Sequence, residues 1–265
     1  MKNKLLVILL ITSTALYAGD TIRQTIAISS SYFTTDPYQR VYLINTKNEI
    51  VRRDLAEGES ITYSNKLLGH ASFIDASNPL KVLVFYPEAQ TVVTLDNYLS
   101  PLSTLKLNKA SDNTQRLVTA VCREAESDRL WIYDALSRKL LRLDATGTTL
   151  NSSEPFDVLL DKNYDSISLL AADDKVYVCS TSGDIAVFDS YANLLYVLQV
   201  PASQYYQWND KLLIGIHEGK GFFYDITTQE TQTWVIPDAD VIQVQVKDGV
   251  IYGRKARSVV VWRRS

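Results

Sequence analysis

Residues 175–189 read Lys175-VYVCSTSGDIAVF-Asp189, and their pattern decides the fold. A basic residue opens an apolar run, a polar tetrad interrupts it, a second apolar run follows, and an aspartate closes the unit. In an extended chain Val176 and Val178 fall on one face and Tyr177 on the other, the period-two signature of a strand. β-Branched and aromatic residues dominate, as a half-buried pleated surface favours. The stretch predicts a β-hairpin.

The unit recurs along the chain. Arg40-VYLINTKNEIVRR-Asp54, Lys81-VLVFYPEAQTVVTL-Asp96, Arg129-LWIYDALSRKLLRL-Asp144 and Lys211-LLIGIHEGKGFFY-Asp225 match it. Gly249-VIYGRKARSVVVW-Arg263 is a sixth copy with the closing charge reversed. The closing positions are 42, 48, 45, 36 and 38 residues apart. Further strands fit between successive hairpins, such as Leu117–Cys122 before the third and Leu194–Val200 after the fourth. Four strands per roughly 40 residues is the arithmetic of a propeller blade. A β-sandwich explains short strands but not six related hairpins. The expected fold is therefore all-β, a six-bladed β-propeller occupying residues 19–265 as one domain.

The last hairpin ends two residues before Ser265, so its blade lacks an outer strand. Thr21-IRQTI-Ala27 is a spare strand ahead of the Tyr32-Phe33 segment, the expected inner strand of the first blade. The N-terminal strand is expected to complete the last blade and cover an edge that would otherwise recruit other chains. Asn108–Gln115 and Thr146–Asp165 carry little pattern and are expected to be loops between blades.

The first 18 residues, MKNKLLVILLITSTALYA, are an address. Lys2 and Lys4 precede an unbroken apolar run, Leu5–Ile11, and Ala18 ends the segment, the order of a secretory signal peptide. Apolar character fades at Thr12, well short of the ~20 residues that span a bilayer. Cleavage near Ala18 would move the net charge from −3 to −5 by removing two lysines. A periplasmic protein with no stable membrane insertion is expected.

Composition excludes several classes. The 265 residues are 46% hydrophobic and 22% charged, which rules out a disordered or collagen-like chain. Lys+Arg number 27 against 30 Asp+Glu, so no nucleic-acid footprint is expected.

The candidate chemistry is sparse. Asp54, Asp96, Asp144, Asp189 and Asp225 each end a third strand, where the following turn needs a side chain that accepts from backbone N–H groups. They are read as turn caps, not metal ligands. Cys122 and Cys179 fall at opposite ends of neighbouring strands, about 15 Å apart, and are expected to be free, buried thiols because a disulfide needs Cα atoms within ~7 Å. His70 and His217 sit in no catalytic motif, and no cofactor is implied. His217, beside Glu218 in a turn, is a candidate base or contact residue. The turns between second and third strands share one face, which gathers Lys220, Arg254, Lys255 and Arg257, with Arg263 and Arg264 near in sequence. This basic cluster suits an acidic partner. Tyr205, Tyr206 and Trp208 enter the fifth blade near its inner strand and pack between blades. Tyr205 or Trp208 on the central funnel would instead stack on a sugar or grip a peptide.

Tyr63-SNKLLGHASFIDASNPLKVLVFYPEAQTVVTLD-Asn97 resembles small periplasmic β-propeller proteins of the Bacteroidota. The matching positions are Ser64, Leu67, Gly69, Asp75, Asn78, Pro79, Leu80, Lys81, Phe85, Tyr86, Asp96 and Asn97. Arg129–Asp134 (RLWIYD) and Tyr205–Trp208 (YYQW) are similar as well. The resemblance implies an envelope protein without enzyme activity and an association with type IX secretion; it brings no catalytic residues. The expected function is a non-enzymatic scaffold for another envelope protein. Two alternatives stand beside it. One is a hydrolase or lyase holding Ca²⁺ in the funnel through Asp75, Asn78, Asp165 and Asn209; the other is a glycan- or peptide-binding module.

Overall fold

The computed structural model of the protein describes residues 21–108, 115–124, 127–160, 164, 168–238 and 240–263. All six repeats are hairpins, and each is the middle pair of a four-stranded antiparallel sheet. The inner strands are Ser30–Thr35, Phe73–Asp75, Val118–Arg123, Ser168–Ala172, Gln207–Asn209 and Gln243–Lys247. Each sheet contacts the next in sequence, and the sixth contacts the first, so the sheets are blades of a closed ring. The fold is a six-bladed β-propeller.

The ring closes through the N-terminal strand. Thr21–Ile26 pairs with Val259–Arg263 as the outer strand of blade six, with Thr21 opposite Arg263 and Ile26 opposite Val259. The physical reason is burial: Ile26 joins Phe33, Val41, Tyr252 and Val259 in one apolar cluster. Six such clusters lie between neighbouring blades, because the middle strands of each sheet are buried on both faces. Blades five, six and one are also laced at their inner strands by glutamines. Gln207 exchanges hydrogen bonds with the backbone of Val246, at 2.6 and 3.0 Å. Gln245 accepts from Thr35 N at 2.8 Å, and the Gln243 amide donates to Phe33 O at 3.0 Å.

Antiparallel strands assign the turns to two faces. The upper face carries the second-to-third-strand turns and the links between blades; the lower face carries the other turns. The closing aspartates do cap lower-face turns. Asp96 Oδ1 accepts from Tyr98 N and Ser100 N, both at 2.8 Å, and Asp54, Asp144, Asp189 and Asp225 repeat the geometry.

One expectation about the connections needs correction. Thr146–Asp165 is not merely a loop: it contains the outer strand of blade three, Thr149–Ser152, and a helical turn, Phe156–Leu159. That strand is short, polar and exposed, so it shows no alternation. Part of Asn108–Gln115, and residues 1–18, lie outside the described residues. Among the described residues no helix is long and apolar enough to cross a membrane.

Candidate functional site

Six inner strands around one axis leave a cavity of about 650 Å³. Its upper part is aromatic. Tyr32 of blade one lies between Phe73 of blade two, at 5.5 Å between ring centroids, and Tyr205, at 6.3 Å. Tyr205 belongs to the link that leads into blade five, so it reaches past blade six to meet Tyr32. All three rings are half-buried and line the cavity, as does Trp208, which packs on Tyr177 at 4.7 Å. Thr119 and Gln204 supply exposed neutral polar groups.

Charge borders this space without entering it freely. Arg254, at the end of the second strand of blade six, is only 4% exposed. Its Nε donates to Gln243 Oε1 and its Nη1 to Ser30 O, both at 2.9 Å, and its guanidinium lies 5.4 Å from the Tyr205 ring centroid. Burial lowers its pKa, while Tyr205 and Tyr32 oppose that shift. Asp75 accepts from Ser77 N at 2.9 Å and Arg123 N at 3.2 Å. Burial first, then the Asp75 carboxylate, pushes the Tyr32 hydroxyl well above its ordinary value. The phenol stays protonated and able to donate.

The sequence-predicted residues divide into several groups. Tyr205 and Trp208 do line the funnel. Tyr206 does not serve as a contact residue: it is buried, its hydroxyl donates to Pro201 O and accepts from Ser203 N, and its ring meets Phe222 edge-on. The basic cluster is not assembled as expected. Arg254 points inward, because Gln243 and the Ser30 carbonyl satisfy it there. Lys255 is paired with Asp238 at 2.6 Å and with Asp240 at 3.6 Å. Lys220 and Arg257 are exposed on the upper face. Arg263 ends its strand on the lower face, opposite them, and Arg264 lies outside the described residues.

His217 is exposed, with Nδ1 2.9 Å from Ala202 O and Nε2 3.9 Å from Glu218. His70 pairs with Glu88 at 3.0 Å on the surface. Neither lines the cavity. Of the calcium candidates, Asp75 and Asn78 cap turns, and Asp165 lies outside the described residues. Among the described residues no three His, Cys, Asp or Glu side chains converge as a metal site. Asn78-Pro79-Leu80-Lys81 is itself a β-turn, closed from Lys81 N to Asn78 O at 3.0 Å. Cys122 and Cys179 are free and buried, and burial raises both thiols well above their ordinary value.

Tyr32 and Phe73 were not singled out by sequence. Both occupy inner strands whose alternation reads as ordinary core. Their one signal is position, an aromatic near the start of an inner strand.

The geometry can be set beside known proteins. No family model and no curated protein matches the chain. Similar solved structures are propellers of distant sequence. A virginiamycin B lyase from Staphylococcus aureus is 11% identical, with a TM-score of 0.62 over 91% of this chain and 98% of that one. A chain of a mitotic checkpoint complex is 9% identical, with a TM-score of 0.66 over 99% of both chains. BamB from Moraxella catarrhalis is 15% identical, with a TM-score of 0.51 over 89% and 85%. At these identities the likeness establishes the fold alone.

Proposed function

We propose that the protein is a non-catalytic docking platform whose upper face receives another protein of the cell envelope. One observation carries this reading. Leu117, Leu136 and Val158 are 52%, 61% and 71% exposed at a single corner of blade three. The corner is rigid. Ala135 N donates to Leu117 O at 2.8 Å, Phe156 N donates to Arg138 O at 2.9 Å, and Arg138 pairs with Asp157 at 2.7 Å. Apolar side chains held open by a fixed framework are the usual mark of a protein contact. The envelope location rests on residues 1–18, and a place beside type IX secretion rests on the resemblance of Tyr63–Asn97 alone.

A lyase reading, prompted by the name of one similar structure, requires an acid–base pair in the axial cavity. Among the described lining residues there is no histidine, and Asp75 is committed to two backbone N–H groups.

The test is site-specific photocrosslinking in intact cells. A photoreactive residue at position 136 or 158 should yield a discrete protein adduct, and one at Leu80, exposed on the lower face, should not. Equal capture from both faces, or none from either, would reject the reading.

A further inference from the structure

We propose that the axial cavity is a binding site for a neutral saccharide, stacked on the arc of Phe73, Tyr32 and Tyr205. The site is separate from the blade-three docking corner, and neither reading depends on the other.

Three observations meet here. The first is size: about 650 Å³ falls within the roughly 300–1,000 Å³ of small-molecule sites. The second is the state of the aromatic rings. Tyrosines that only fill space between blades, such as Tyr177 and Tyr252, are fully buried. Tyr32, Phe73, Tyr205 and Trp208 are half-buried and border open volume. The arc is also braced, because the Arg254 guanidinium stacks on Tyr205 from a buried position. Aromatic faces suit the C–H faces of a sugar ring.

The third observation is charge. Asp75 and Arg254 are hydrogen-bonded by the protein, whereas Arg123 keeps a buried Nε and Nη2 with no hydrogen-bond partner among the described residues. Asp75 accepts from two backbone N–H groups, Arg123 faces Asp128 at 3.6 Å, and Arg254 donates to Gln243 and Ser30. An anion would meet only Arg123, whose charge Asp128 already faces, and a cation only the backbone-bonded Asp75. What remains open is the exposed Thr119 and Gln204 and the Arg123 N–H groups, together with the Tyr32 hydroxyl and the Trp208 indole N–H. Among the described residues neither of those last two donors has a hydrogen-bond partner. Aromatic platforms with neutral donors and acceptors match a ring that carries hydroxyl groups and no charge.

The experiment uses the mature protein with cellobiose, maltotriose and chitobiose as neutral probes. Benzoate, tetramethylammonium and tetra-alanine serve as anionic, cationic and peptide controls. Binding is read by saturation-transfer NMR and by tryptophan fluorescence, in which Trp208 is the cavity reporter. At least one saccharide should bind saturably. Tyr205→Ala should weaken it roughly fivefold or more, and Trp208→Phe should silence the fluorescence change while NMR still detects the sugar. Thr119→Trp fills the cavity from an exposed position and should block binding with the melting temperature unchanged. That second variant decides the matter if Tyr205→Ala fails to fold. The proposal is overturned if no saccharide binds, if a control binds in their place, or if Thr119→Trp leaves sugar binding intact.

Discussion

Gly253 lies beneath the indole of Trp262, a residue with no exposed surface in the cluster between blades five and six. A Cβ at this position would stand 2.5 Å from Trp262 Cη2 and 3.0 Å from a methyl of Val241. Neither neighbour has room to retreat in a close-packed interior. Gly253→Ala is therefore expected to lower stability by about 1–3 kcal/mol, the usual range for overpacking. Urea unfolding should give an earlier midpoint with an unchanged slope. An alanine variant as stable as the parent would mean that the indole is looser than its burial implies. Arg254 makes the same point for a charged residue. Its sequence neighbours place it in an exposed turn, yet the Ser30 carbonyl, 224 residues away in the chain, draws it inward.

The lower-face turns belong to the scale of elements. Each capping aspartate accepts backbone N–H groups more strongly when ionised than when protonated. The N–H groups of Thr227 and Thr228 hold the Asp225 carboxyl below its usual range. At Asp189 burial works in the other direction, but the side chain and backbone of Asn193 outweigh it and that carboxyl is lowered as well. A carboxyl depressed in the folded state contributes stability above its unfolded pKa of about 3.9 and loses it as pH falls through the folded value. Stability should thus be flat above about pH 5 and decline below about pH 4. Asp225→Asn should show a shallower acid decline than the parent in thermal melts across that range. Identical acid profiles would show that the cap is not coupled to folding.

At the scale of the whole molecule, stability hangs on closure. The outer strand of blade six comes from the opposite end of the chain, so its pairing joins Thr21 to Arg263. Contacts of such sequence separation are slow to form. Deleting residues 21–29 removes that ladder and the buried Ile26, and should lower the melting temperature on the order of 10 °C. Thr21 and Arg263 are opposed at the lower face, so the strand can be supplied from the other end. A permutant carrying residues 21–29 after Ser265, joined by Asn-Gly, should regain most of the lost stability. If deletion leaves the melt unchanged, the N-terminal strand is decorative and the ring is held by its inner strands alone.

Much of this was legible in the chain because it is local. Alternation over five residues fixes a strand, a polar tetrad fixes a hairpin, and an aspartate two residues before an N–H fixes a turn cap. Repetition of those short-range signals determined six blades, and a spare strand determined how they close. The outer strand Thr149–Ser152 escaped because an exposed edge has no core face to impose alternation. Of the site, Tyr205 and Trp208 were legible, while Tyr32 and Phe73 escaped for a different reason. Period two tells which side of a strand a residue takes, but not which side meets the axis or what lies across it. Tyr32, Phe73 and Tyr205 come together only because three blades converge on one axis, and Arg254 turns inward only because a distant carbonyl awaits it. The sequence alone determined the ring; only tertiary structure decided which side chains it gathers at its centre.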